Sequence, residues 1–261
     1  VKRYLRLVGI FAGASLSAQM EYRANFIAGL LESLGQVGIG LLTLVIFFRN
    51  ASTLGGWTAP QAAVVLGLFM LTNSFIAVAL APNLNRIAES VRLGTMDFTL
   101  LKPIDAQFQV STRNLNAFRI GDALIGVGIV VWGLVQLQGV TVGGVLLGLA
   151  LYLSALVTVY SIWFMLATTA FWWVKVQNIT ELFNGFFAAA RYPVVAFPGG
   201  IRFLLTFVVP IAFITTVPAW AVLGELPPGF AIASPLLAVT LMVVSRLFWR
   251  YALRNYTSAS S

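Results

Sequence analysis

Six apolar runs long enough to cross a lipid bilayer decide most of what this chain can fold into. They occupy about residues 26–48, 61–81, 120–137, 142–170, 203–223 and 230–249. A hydrocarbon core of roughly 30 Å takes about 20 apolar residues as helix. Backbone amides inside lipid must be satisfied within the segment itself, which favours helices over open sheets. The pattern therefore predicts an all-α integral membrane protein with six transmembrane helices. With 59% hydrophobic and 9% charged residues in a chain of 261, little remains for a water-soluble unit. A single transmembrane domain covering 1–261 is expected.

The basic residues orient the spans. With a cytoplasmic amino terminus, 15 of the 16 lysines and arginines fall inside and only Arg49 falls outside, as the positive-inside rule requires. The net charge of +8 then reflects topology and an anionic inner leaflet, with no role for nucleic acid. Both termini are expected in the cytoplasm. Residues 1–25 alternate Lys2, Arg3, Arg6 and Arg23 with Leu7, Ile10, Phe11 and Leu16, the pattern of an amphipathic helix on the membrane surface. A signal peptide is the rival reading, but the apolar run is short, glycine-interrupted and followed by Glu21 and Arg23. Residues 178–203 are ambiguous: a seventh span would move Arg246, Arg250 and Arg254 outside. Glu181, Arg191, Pro193 and Pro198 interrupt this stretch, so it is expected to lie at, or dip into, the cytoplasmic interface. Residues 215–224, which carry Pro218, could re-enter the outer leaflet.

Much catalytic chemistry is excluded. The chain has no cysteine and no histidine, which removes thiol chemistry, ordinary zinc sites and histidine acid–base work. Its three lysines, Lys2, Lys102 and Lys175, are followed by Arg, Pro and Val, so no phosphate-binding loop ending in lysine and a hydroxyl residue is present. Asp122 stands at the start of its span without a second aspartate in a neighbouring run to share a proton. The chain is expected not to be an enzyme, and to carry no metal or cofactor. Glu32 stands out as an ionisable residue inside a span, with Gln36 one turn further on the same face. It reads either as part of a polar translocation path or, more simply, as a helix contact with Arg119 or Arg202. The spacings GIFAG (9–13), GVTVG (139–143) and GVLLG (144–148) permit close helix approach.

Between the second and third spans, residues 82–119 form a charged cytoplasmic loop. Pro82 is expected to begin the break, Gly94 to end a short helix, and Pro103 to block a second one. Phe98, Leu100 and Leu101 would then sit on the water side, where apolar residues bury against the protein itself or another chain.

The phrases EYRANF (21–26), RLGTMDFTLLKPID (92–105), RYPVVAFP (191–198), FVVPIAFITTVPA (207–219) and LRNYTSAS (253–260) resemble, in order and placement, a permease subunit of a bacterial ABC-2 type transporter. That resemblance covers nearly the whole chain. It implies a type V exporter-like architecture in the cytoplasmic (inner) membrane. It also implies a second permease subunit, identical or homologous, and two cytoplasmic ABC ATPase subunits on which ATP and Mg would bind. Residues 84–105 would carry the coupling helix, with Phe98, Leu100 and Leu101 as apolar contacts to the ATPase and Arg92, Asp97 and Lys102 as polar ones. Glu32, Gln36, Thr72 and Asn73 would line a path between the two permeases for an amphiphilic cargo. An ion-coupled secondary transporter and a membrane scaffold are the rival classes. The former calls for ionisable residues at mid-membrane and internal repeats, and neither is seen.

Overall fold

The computed structural model describes residues 2–20, 23–173 and 183–256. Lys175, Glu181 and the end of the LRNYTSAS phrase lie outside the described residues, as does the side chain of Gln36. The protein is helical, with no β-strand among the described residues. Its principal elements are α1 (Lys2–Met20), α2 (Arg23–Asn50), α3 (Ala59–Phe75), α4 (Ala81–Arg92), α5 (Met96–Leu100), α6 (Ala106–Thr112), α7 (Ile120–Gln136), α8 (Val142–Thr168), α9 (Gly199–Phe203), α10 (Thr216–Leu223) and α11 (Pro228–Arg254). Among the described residues, four helical stretches are long and apolar enough to cross a membrane: Ala59–Arg92, Ala117–Gln136, Val142–Phe171 and Pro228–Arg254. Shorter apolar pieces are Val37–Asn50, within α2, and Gly199–Val208. The protein is thus a multi-pass membrane protein.

Glycine seams join the spans. A Cβ at Gly67 would stand 2.9 Å from the Gly126 carbonyl oxygen and from Val130 N. One at Gly133 would stand 2.9 Å from Pro60 O. The antiparallel helices α3 and α7 therefore touch backbone to backbone, the approach that small residues allow in lipid. Of the three sequence spacings, GVLLG is used this way: Cβ atoms at Gly144 and Gly148 would meet Ala221 O at 3.0 Å and Pro218 O at 3.1 Å.

The helices α8 and α11 run parallel. Leu151 packs in a cluster with Phe230 and Ala233, Ser161 lies beside Met242, and Phe164 and Phe171 contact Trp249. Parallel neighbours require the intervening chain to return across the bundle. The sequence predicts one continuous span over 203–223 for that return, and the structure corrects it. By Arg202, which donates to Val195 O, the chain has already reached the end of the bundle where α3 begins. Residues 199–223, broken into α9, a π-helical turn Leu204–Val208, a 3-10 turn Ile211–Phe213 and α10, dip into the bundle and come back to that end, where Ala221 O stands beside Gly144. Pro210 supplies the break, because it has no N–H to continue the ladder. Irregular backbone at this depth needs protein around it, and Ile211, Ala212, Ile214, Thr215, Val217 and Ala219 are all at most 2% exposed. Hydroxyls satisfy what the ladder cannot: Thr215 Oγ1 donates to Ala190 O at 2.8 Å, and Thr216 Oγ1 accepts from Val194 N at 3.0 Å.

That second contact bears on a further correction. The described part of residues 178–203 does not lie at the end of the bundle that carries residues 82–119, where the sequence reading places it. Gly55, in the turn before α3, adopts φ +59°, and a Cβ there would fall 2.8 Å from Val195 C and Ala196 N. Trp57 and Val195 share a cluster, and Arg202 donates to Val195 O at 2.7 Å. Residues 194–202 therefore sit at the Gly55 end of the bundle, while Arg191 lies within it, 5.3 Å over the Phe69 ring. Pro193 and Pro198, read from sequence as interrupting a stretch too short to cross, lie in an irregular segment in which Pro193 and Val194 are buried and residues 198–203 are exposed.

The cysteine-free chain allows a direct check. Single cysteines at Ser52 and Phe197 are expected to react with an impermeant thiol reagent from one side of the membrane, and one at Leu101 from the other; shared sidedness of Phe197 and Leu101 would contradict this fold. Gly67→Ala is expected to lower stability by about 1–3 kcal/mol through overpacking of the α3–α7 seam, read as a lower unfolding midpoint in detergent.

Candidate functional site

The exposed apolar surface at the Gly94 end begins with how the second span leaves the membrane. The helix does not break at Pro82 as the sequence suggests. It passes through a π-helical turn, Ile76–Leu80, in which Ala81 N donates to Ile76 O, and continues to Arg92. Pro82 has no N–H for Val78 O, four residues upstream, and Asn116 N supplies the missing donor at 2.9 Å. Asn83, 2% exposed, completes the repair. Its Nδ2 donates to Ala79 O at 2.7 Å and to Asn114 O at 2.6 Å, while its Oδ1 accepts from Asn114 N at 2.8 Å. The returning segment 114–116 is thereby clamped along the helix.

From its other side α1 holds the same segment. Leu115 N donates to Ser15 Oγ at 3.1 Å, Ala117 N donates to Gln19 Oε1 at 2.9 Å, and Gln19 Nε2 donates to Leu115 O. Further along α1, Tyr4 meets Phe108 edge-on at 4.6 Å and Arg3 donates to Pro103 O at 3.3 Å.

Gly94, at φ +69°, ends α4. Leu93 N and Gly94 N still donate to Glu89 O and Val91 O, so the turn is a tight extension of the helix. Met96 then inserts as a peg, 1% exposed, while Phe98 is 70% and Leu101 81% exposed. Leu100 is at the edge of exposure and Leu93 adds a further exposed side chain. Arg92 and Lys102 are exposed, and Asp97 is half-buried. Burial and the nearby Asp97 carboxylate push the Tyr256 phenol up, which places the carboxylate beside the end of α11. All six residues named from sequence thus occur on one short segment, and Leu93 belongs with them.

The far end of this segment is fixed by charge. Asp105 caps α6 by accepting from Phe108 N at 2.9 Å. Arg246 of α11 donates to Asp105 Oδ1 at 2.8 Å and to Gln107 Oε1 at 3.0 Å, and its second Nη also pairs with Asp105. Gln107 Nε2 and Ser111 converge on the Tyr160 hydroxyl of α8 at 3.2 and 2.9 Å. Chiefly through the Arg246 hydrogen bond, the Asp105 carboxyl is held below its ordinary range, although burial opposes this. Sequence reading counted Arg246 toward topology alone and left Asn83 and Gln19 unremarked. An asparagine directly after a proline in a hydrophobic helix is the signal that was available.

Of the four residues assigned from sequence to a polar path, Glu32, Thr72 and Asn73 have separate partners within the chain. Glu32 pairs with Arg119 at 3.1 Å, and Arg119 also pairs with Asp122 at 3.2 Å, so this carboxylate links α2 to α7. Thr72 is fully buried, bonded to Leu68 O at 2.9 Å and lying 3.2 Å from the Tyr152 hydroxyl. It faces α8 and the interior of the bundle. Asn73 lines a small void with Phe69, Asp122 and Arg191. Gln36 is on α2, a different helix from Thr72 and Asn73. Among the described residues, no three acidic side chains converge as a metal site would need.

The family model described as an ABC-2 family transporter protein matches residues 34–260. No curated protein matches the chain.

The depressed Asp105 carboxyl gives the anchor a pH signature. A lowered folded-state value means that the Arg246 bond contributes stability above the ordinary carboxylate range and loses it as pH falls through the lowered value. Amide exchange across residues 106–112 is expected to stay slow down to about pH 4. Asp105→Asn is expected to accelerate it at neutral pH; equal protection in both proteins would show that the anchor carries no stability.

Proposed function

The chain belongs to the ABC-2 family of transporters, and on that premise we propose that it is the permease subunit of an ATP-binding-cassette exporter. In this reading it pairs with a second permease, identical or homologous, and with two cytoplasmic ATPase subunits that bind ATP and Mg. Hydrolysis takes place on those subunits, not on this chain. The cargo is an amphiphile or lipid that crosses between the two permeases.

The observation that carries the reading is the segment Leu93–Lys102. It bears two of the most exposed large apolar side chains among the described residues, Phe98 and Leu101, at the tip of a helix that continues out of the second span. Lipid cannot cover them if the span ends where its apolar run does, because α4 carries them about 18 Å beyond Leu80 at about 1.5 Å per residue. A partner in water must do so, and a groove on the ATPase suits an aromatic and a leucine flanked by Arg92 and Lys102. In this role α5 is the coupling helix.

Six crossings per subunit fit this reading: α2, α3 with α4, α7, α8, the return that ends at residues 194–202, and α11, with residues 203–223 re-entering from the Gly55 end. The Gly94 end gathers Arg3, Arg86, Arg92, Lys102, Arg113, Arg246, Arg250 and Arg254, so it is assigned to the cytoplasm of the bacterial inner membrane, with both termini there. The exposed flank of α2, which includes Leu31, Ile39, Leu42 and Ile46, supports placing the second permease against the first span. Glu32 and Gln36 would then lie near the subunit boundary, with Thr72 and Asn73 deeper in the fold.

The test is co-expression with candidate ABC ATPase subunits, followed by purification in detergent. The wild-type chain is expected to retain the ATPase and support hydrolysis. Phe98→Ser with Leu101→Ser is expected to weaken that association by at least about tenfold, the loss typical of buried interface anchors, with the permease still folded. Retention unchanged by the double substitution would remove this segment from the coupling role, and no association with any ATPase would remove the exporter reading.

A further inference from the structure

On the lipid side of the coupling segment, α6, α8, α11 and the π turn of the second span leave an open groove of about 740 Å³. Its wall is apolar over Phe75, Leu80, Phe108, Val243 and Leu247, and its rim carries Arg250 and the Asp105–Arg246 pair. The depth of these groups can be read along the helix. At about 1.5 Å per residue, Arg246 lies about 27 Å from Pro228 and Arg250 about 33 Å. A hydrocarbon core is roughly 30 Å thick. The apolar wall therefore stands in the inner half of the bilayer, and the rim stands at the level of the headgroups.

The charge at the rim selects an occupant. Asp105 and Arg246 compensate one another through their hydrogen bonds, which leaves the exposed Arg250 as a net positive group. A hydrocarbon-lined groove open to a bilayer is filled by lipid chains, since water has no partners along such a wall. We infer that the groove holds an anionic phospholipid of the inner leaflet, its phosphate on Arg250 and an acyl chain along Phe75, Leu80, Val243 and Leu247. The bound lipid touches α6 on one side and α11 on the other, so it fills the joint between the coupling segment and the last span. This site is separate from any cargo path between two permeases and does not depend on the transport reading.

The test uses the full chain purified in mild detergent from membranes and exchanged into nanodiscs of phosphatidylcholine with a minor share of phosphatidylglycerol. Retained lipid is counted by native mass spectrometry after release from the disc. Wild-type protein is expected to carry phosphatidylglycerol in preference to phosphatidylcholine. Arg250→Glu replaces an attraction with a repulsion and is expected to lower that retention by about tenfold. Val243→Trp fills the groove and is expected to lower retention of both lipids. Arg254→Glu makes the same charge change one turn further on and is expected to leave retention unchanged. Equal loss in R250E and R254E would reduce the effect to general surface charge, and equal retention of both lipids by the wild-type protein would overturn the site. Should V243W fail to fold, the comparison of R250E with R254E decides the matter by itself.

Discussion

A proline inside a membrane helix leaves a carbonyl without its donor, and the organisation of the Gly94 end follows from how that gap is closed at Pro82. Water could fill it in a soluble protein. Here Asn116 N donates to Val78 O, and the Asn83 side chain, bonded to Ala79 O and to Asn114, ties the same returning segment to the helix. The helix is spared a kinked and hydrated defect, and the loop between the second and third spans is bound to the side of that helix over residues 114–116. One backbone deficit thus converts a long connection into a short, supported one.

Two other ties act with this clamp. The Asp105–Arg246 pair fixes the outgoing segment to α11, and Ser15 and Gln19 of α1 hold the returning segment from the membrane-surface side. Between these ties, residues 93–102 are raised clear of the bundle with Met96 as their peg. A surface meant to transmit force has to be stiff relative to the element it moves. Every tie here is a hydrogen bond or an ion pair between elements distant in sequence, so the segment cannot shift without moving the second span, α1 and α11 together.

The class of fold was legible in the apolar runs, because lipid leaves helices as the ready solution for a segment of that length. The exposed loop was legible as well: Phe98, Leu100 and Leu101 stand in charged surroundings, and Gly94 does end the preceding helix, as its φ of +69° requires. Two readings failed for one reason. Pro82 was read as a break, and Pro193 and Pro198 as interruptions that keep 178–203 at the interface, yet proline removes a donor without forbidding burial when another amide or a hydroxyl replaces it. Asn116 N and the Thr215 hydroxyl are such donors, to Val78 O and Ala190 O, and both acceptors lie far off in the sequence. No local pattern announces such a pairing. Within the chain Glu32, Thr72 and Asn73 have separate surroundings, since helical phase shows which residues share a face but not which helix that face meets.

The most direct measurement of the central claim, that residues 93–102 move as a rigid extension of the helix Ala59–Arg92, is a pulsed electron paramagnetic resonance distance between spin labels at Ser52 and Leu93 in the cysteine-free chain, with and without Asn83→Ala. A narrow distance distribution that broadens when the asparagine is removed is the predicted result. A broad distribution in the intact protein, or one that Asn83→Ala leaves unchanged, would contradict the account.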